Sequence, residues 1–70
     1  MKFEKNEMYK NIFKDVDVAF TVDEILAQNH HGADLIVTWY KYTANGRWVS
    51  VGVSGEFHIP KDSVLHYVPV

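Results

Sequence analysis

A chain of 70 residues forms one domain with a thin core, because a chain this short buries only about 60% of the surface that its unfolded form exposes. With 47% hydrophobic and 14% aromatic residues it is too apolar for a disordered tail, and without cysteine it has neither a disulfide framework nor a thiolate metal site. The net charge is −2 and the basic residues do not cluster, which argues against a generic nucleic-acid binder.

The N-terminal sequence MKFEKNEMYK alternates in charge where a secretory signal would have an apolar run. No stretch of the chain approaches the roughly 20 apolar residues of a membrane span. We therefore expect a cytoplasmic protein that does not enter a membrane, with residues 1–70 forming a single domain.

The first two strands are predicted before residue 30. Residues 7–13 read as a short first strand, and residues 16–28 open with the alternation of a half-buried second strand. Thr21 and Glu24 would also fit the capped start of a helix, but a helix of two turns is marginal in isolation. We expect a strand with a bulge at Asp23 and Glu24. Its inward face carries Val16, Val18, Phe20 and Val22.

A β-hairpin is the strongest signal in the chain. The polar residues 28–33 predict a loop before a third strand at residues 34–43, and an Asn-Gly step follows. A two-residue turn there would split the core between two faces. A three-residue loop, with Gly46 in the left-handed position of a G1 bulge, pairs Trp39 with Val51 and Val37 with Val53 instead. The inward residues are then Leu35, Val37, Trp39, Val49, Val51 and Val53.

Glycine and proline shape the C-terminal third. Gly52 and Gly55 interrupt the fourth strand and predict a sharp bend, with a tight hairpin and a sixth strand as the alternative. Pro60 cannot donate to a ladder, so residues 60–64 predict one turn of 3₁₀ helix. A short closing strand at residues 66–68 completes the chain.

This series of elements resembles an SH3-like small β-barrel, an all-β fold of five or six strands with one 3₁₀ turn before the last strand. Residues 36–50 (IVTWYKYTANGRWVS) and 59–67 (IPKDSVLHY) are similar to the Tudor and chromo-barrel branch. Tyr40 and Trp48 match aromatic positions of that motif. Its structural end is matched by Pro60, Val64, Leu65 and Tyr67.

An aromatic surface is the candidate binding site. In the hairpin register above, Tyr40, Tyr42 and Trp48 face outward, and Asp17 and Asp23 share that face. Aromatic rings beside fixed carboxylates suit a ligand that carries Lys, Arg or another cation. The alternative is that these rings pack against the N-terminal segment or belong to the core.

The sequence carries no catalytic or metal-ligating pattern. The four histidines, His30, His31, His58 and His66, lack the spacing of a zinc site. No serine lies in a nucleophile elbow or beside a glycine-rich oxyanion loop. We therefore expect no metal, no cofactor and no enzymatic activity.

These observations favour a non-enzymatic protein-binding module that holds a basic or extended partner segment on its aromatic, acid-flanked face. Such a module, a monomer or small homo-oligomer, would fit a phage or bacterial accessory protein. One alternative is single-stranded nucleic-acid binding by base stacking on the strand aromatics. Another is a small structural subunit of an oligomer.

Overall fold

The computed structural model describes residues 2–14, 16–52 and 55–70. These residues form β1 (Met8–Asn11), β2 (Val18–Asn29), β3 (Gly32–Tyr42), β4 (Trp48–Ser50), β5 (Gly55–Pro60), a 3₁₀ helix (Lys61–His66) and β6 (Tyr67–Pro69). They make one antiparallel sheet in the order β4-β3-β2-β1-β6, with β5 also paired to β3. The predicted all-β class and the 3₁₀ helix before the last strand are confirmed. The pairings between described residues do not close the sheet by joining β5 to β6.

A long hairpin of β2 and β3 forms the centre of the sheet. The two strands pair along their whole lengths, so the predicted six-residue loop shrinks to a turn at His30 and His31. The Asn29 side chain stabilises this turn by accepting the backbone N–H of His31 at 2.8 Å. The loop prediction was wrong because polarity marked solvent exposure at the hairpin end rather than the end of pairing.

The bulge predicted in β2 is confirmed. The register with β3 shifts between Val22 and Glu24 and again between Ile25 and Ala27. After the first shift Ile25 packs against the core, whereas Leu26 is exposed. The extra residue therefore changes which side chains of the strand face the core, as a bulge does in an antiparallel pair.

The three-residue loop predicted between β3 and β4 is also confirmed. The backbone N–H of Thr43 donates to the Arg47 carbonyl at 2.8 Å, and that of Gly46 donates to the Thr43 carbonyl at 3.0 Å. Gly46 has φ +77°, the left-handed conformation that glycine adopts without steric cost. Beyond the ladder, the Val51 N–H donates to the Trp39 carbonyl at 3.0 Å, as the predicted register requires.

The predicted bend separates β4 from β5. Both segments pair with β3, Ser50 opposite Tyr40 and Gly55 opposite Val37. Three residues along β3 thus correspond to five along its partner, and two of those five, Val53 and Ser54, lie outside the described residues. Val37 pairs with Gly55 rather than with Val53, which lies outside the described residues.

The core occupies one face of the sheet. Its buried members are Phe3, Tyr9, Phe20, Val22, Ala33, Leu35, Val37 and Ile59. The inward positions predicted for Leu35 and Val37 are confirmed, and Trp39 is partly buried against this cluster.

Two further valines expected in the core lie outside it. Val49 is 48% exposed and Val51 59% exposed, although their register is the predicted one. β4 pairs only with the last three residues of β3, where the inward position is occupied by Lys41. Val16, expected inward on β2, is exposed as well. The alternation is therefore correct, but the thin core ends before it reaches these residues.

The N-terminal segment is part of the core. The side-chain amide of Gln28 accepts the Phe3 N–H at 2.7 Å and donates to the Phe3 carbonyl at 3.1 Å. The Phe3 ring then packs edge-on against Tyr9, with centroids 4.9 Å apart. Phe3 therefore fills the interior and does not cover the outward tyrosines.

The buried Tyr9 hydroxyl predicts a loss of stability in alkali. It accepts the Glu4 N–H at 2.8 Å and donates to the Lys2 carbonyl at 3.3 Å. Burial raises the pKa of Tyr9 above its ordinary value, because the folded state favours the neutral phenol. The contribution of this phenol to folding stability is therefore fully present below about pH 10 and is lost as the pH rises through the raised pKa. We expect the urea midpoint of the parent to fall more between pH 8 and pH 10.5 than that of Tyr9→Phe. Equal decreases would show that the phenol is not responsible.

Candidate functional site: an outward aromatic face

One row of side chains crosses three adjacent strands on the face opposite the core. Tyr42 on β3 pairs with Trp48 on β4. On its other side the Tyr42 N–H donates to the carbonyl of Asp17 at 2.7 Å, immediately before β2. The register therefore aligns Asp17, Tyr42 and Trp48 in this order. Tyr40 lies in the next outward row, between Ala19 and Ser50.

The aromatic part of this row is ordered by contact between its rings. The centroids of Tyr42 and Trp48 are 5.0 Å apart with an interplanar angle of 67°, an edge-to-face arrangement. The Tyr42 hydroxyl leans over the hairpin loop, 3.5 Å from where a Cβ on Gly46 would lie. Tyr42 is 44% exposed, while Tyr40 and Trp48 are half-buried. Ring surface is thus available to a ligand without unfolding any element.

Asp23 is held at the other end of this face by the β2 bulge. The Thr38 hydroxyl donates to Asp23 Oδ2 at 2.5 Å. Thr38 precedes Tyr40 by two residues on β3 and therefore has the same outward direction. From Thr38 to Tyr42 the strand rises about 13 Å, at roughly 3.3 Å per residue. This surface, formed by Asp17, Asp23, Tyr40, Tyr42 and Trp48, is called the aromatic face below.

The carboxylates of the aromatic face have no cationic partner within the described residues. In those residues the one ion pair closer than 4.0 Å joins His58 Nδ1 to Asp34 Oδ1, at 2.6 Å, across β3 and β5. A desolvating ring surface next to unneutralised carboxylates attracts a cation. The register places Asp17 beside Tyr42, Tyr42 beside Trp48, and the hydrogen bond from Thr38 places Asp23 farther along the same strands.

The histidines of the described segments are dispersed. His30 and His31 form the β2–β3 turn, His58 contacts Asp34, and the ring of His66 packs on Phe13 at 4.8 Å. Within residues 2–14, 16–52 and 55–70 no three His, Asp or Glu side chains are placed to hold a metal ion.

A cavity that the sequence did not predict opens on the core face. Its volume is about 250 Å³. The lining residues are Lys10, Asn11, Lys14, Val18, Phe20, Trp39, Phe57 and Tyr67. The aromatics among them follow the inward alternation, but alternation alone cannot show whether the space between rings is filled.

Comparisons with protein-family models, with curated proteins and with solved structures found no match for this chain. Among the described residues, no helix is long and apolar enough to cross a bilayer.

Proposed function

We propose that this protein is a non-enzymatic binding module that holds a basic or extended segment of a partner protein on the aromatic face. The observation that carries the proposal is the row of Asp17, Tyr42 and Trp48 across three strands. The carboxylate of Asp17 would then lie beside an ordered pair of rings, which is the arrangement that favours a Lys or Arg side chain.

We further propose that the fold is a small SH3-like barrel. The resemblance is supported by the order of elements: two strands, a hairpin, a bent strand, a 3₁₀ helix and a short closing strand paired with β1. The match of residues 36–50 and 59–67 to the Tudor and chromo-barrel branch points in the same direction.

The dimensions of the aromatic face suit an extended segment. Its length of about 13 Å corresponds to about four residues of a β-like chain, at roughly 3.3 Å per residue. A cation near Tyr42 and Trp48 would interact with Asp17, and a second cation about 10–13 Å away would reach the free oxygen of Asp23. A partner with two basic residues three or four positions apart therefore fits best.

Trp48→Ala is expected to weaken partner binding by tenfold or more through faster dissociation, because truncating a central aromatic typically costs about 2 kcal/mol or more. Trp48 lies outside the buried core, so the variant should remain folded. The measurement is surface plasmon resonance against a partner recovered by pull-down from the native host. Phe13→Ala is the matched control, since it removes an exposed ring on another part of the chain. Unchanged kinetics in a folded Trp48 variant would place the binding site elsewhere.

The paired change Asp17→Asn with Asp23→Asn is expected to act mainly on association. Removing the two charges should slow association and flatten its salt dependence, whereas dissociation should change less. Asparagine at position 23 keeps an oxygen for the Thr38 hydroxyl, so the bulge should persist. Asp62→Asn, which removes one negative charge from the 3₁₀ helix, is the net-charge control for each of the two single aspartate changes. A response of this control equal to that of either site aspartate would show that only net charge matters.

Two measurements separate the other functions considered for this surface. Fluorescence anisotropy with labelled single-stranded DNA and RNA at low salt should give weak binding, because the carboxylates oppose phosphates. Submicromolar affinity would favour nucleic acid. Molar mass in solution at two protein concentrations tests whether the protein self-associates. A dimer that is lost in the Trp48→Ala variant would assign the aromatic face to self-assembly.

A further inference from the structure

We propose that the cavity on the core face binds a small carboxylate with an apolar body of one or two rings. The cavity is separate from the aromatic face, because its wall residues Val18, Phe20 and Trp39 follow the inward alternation while Tyr40, Tyr42 and Trp48 follow the outward one. The two sites would also select opposite charges.

The walls of the cavity hold their shape through contacts with one another. The ring centroid of Phe20 lies 5.3 Å from that of Trp39, 5.5 Å from that of Phe57 and 5.6 Å from that of Tyr67, and all three pairs are edge-to-face. The ring centroids of Trp39 and Phe57 are 5.1 Å apart. Phe20 is fully buried, and the other three rings are partly buried around it. A ligand entering this space therefore meets preformed aromatic surface and pays little to order it.

The volume limits the size of the ligand. An apolar cavity of about 150 Å³ accepts benzene, and drug-sized ligands occupy about 300–1,000 Å³. At about 250 Å³, this cavity matches a ligand with one or two fused rings. A nucleotide or a folded partner would extend well outside it.

The charge around the cavity selects an anion. Lys10 and Lys14 line it, and none of its described lining residues is a carboxylate. A third lysine, Lys41, pairs with the lining residue Val18 and shares its inward face. Ammonium groups beside an apolar enclosure favour a ligand whose ring is buried and whose carboxylate stays at the entrance.

The test uses three probes that share one ring system: 1-naphthylacetate, 1-naphthylmethanol and 1-naphthylmethylamine. The chain has two tryptophans, so two indole N–H signals in a nitrogen-15 correlation spectrum report the two sites separately. Trp39 is in the cavity wall, and Trp48 is on the aromatic face. We expect saturable shifts of the Trp39 signal, with the carboxylate binding at least fivefold more tightly than the alcohol and the amine binding most weakly.

Substitutions of the lining residues test two features of the cavity, the charge of its lysines and its enclosed volume. Lys10→Gln with Lys14→Gln should weaken the binding of naphthylacetate by about fivefold or more, because two ion pairs of modest strength are lost. The affinity for naphthylmethanol should not change. Lys61→Gln, in the 3₁₀ helix outside the lining, is the control. Val18→Phe should fill the cavity from its rim and reduce the affinity for naphthylacetate and naphthylmethanol alike. Circular dichroism confirms the fold of each variant.

Four results would overturn this proposal. Equal affinity for the carboxylate and the alcohol would show that the cavity does not select anions. A naphthylacetate response confined to the Trp48 signal would show that the ligand does not bind in the cavity. A Trp39 signal that shifts with protein concentration alone, together with a rise in molar mass, would identify a second copy of the chain as the occupant. A response of Lys61→Gln equal to that of the lining lysines would reduce the effect to net charge.

Discussion

Phe20→Ala is expected to lower the free energy of unfolding by about 3–5 kcal/mol, the cost of removing a large aromatic side chain from a core. Phe20 is 1% exposed, and the rings of Phe3, Tyr9, Trp39, Phe57 and Tyr67 all have centroids within 6.4 Å of its own. A domain of this length has a total stability of about 4–10 kcal/mol, at roughly 0.05–0.15 kcal/mol per residue. The variant should therefore be marginally folded at best.

Urea denaturation followed by far-ultraviolet circular dichroism measures this effect. Phe13→Ala is the matched control, because the same ring is removed from a side chain that is 71% exposed. We expect the control to change the unfolding free energy by about 0.5 kcal/mol or less, as surface substitutions commonly do. If the two variants had equal midpoints, Phe20 would not be the centre of the core.

Gly32→Ala is expected to cost about 3 kcal/mol or more, because backbone strain and a steric clash act together. Gly32 has φ +127°, a conformation that side chains disfavour, and a Cβ there would lie 2.1 Å from the Ile59 carbonyl oxygen. This contact is with backbone, so no change of rotamer relieves it. Gly32 pairs with Pro60 in the β3–β5 ladder, and that ladder must separate to admit the methyl group.

Thermal denaturation and amide hydrogen exchange of β5 report this change. The control is Gly52→Ala, where no atom of the described residues, apart from the chain neighbours, lies within 4 Å of the added Cβ. We expect its melting temperature to stay near that of the parent and exchange in β5 to be unaffected. Protected β5 amides in a Gly32→Ala variant of parental stability would contradict the close approach of β3 and β5.

The register of the β3–β4 hairpin was predictable because two local requirements agreed. Only the three-residue loop placed Trp39 on the same face as Val49 and Val51 of the next strand, and the same loop needed a residue with positive φ where Gly46 stands. The β2 bulge was predictable for a similar reason, since the apolar alternation lost its phase at Asp23. Once these registers were known, the membership of the aromatic face followed from alternation alone.

The extent of the core was not predictable in the same way. Val49 and Val51 have the inward phase and yet are exposed, because burial depends on what lies opposite a residue and not on its own direction. Phe3 had no periodic neighbours to mark it as interior, and it became so through a hydrogen-bonded pairing with Gln28, a residue 25 positions away. The sequence contains no local signal for such a contact.

By itself the sequence determined the all-β class, the hairpin register, the bulge, the 3₁₀ helix and the outward direction of Tyr42 and Trp48. Each of these depends on interactions between residues that are close in the chain or directly paired, so periodicity and turn chemistry are sufficient to predict them. Only the tertiary structure decided where the core ends, how Phe3 completes it and that a lysine-lined cavity remains beside Phe20. Those features depend on how volumes from distant parts of the chain fill a common space, which alternation does not encode.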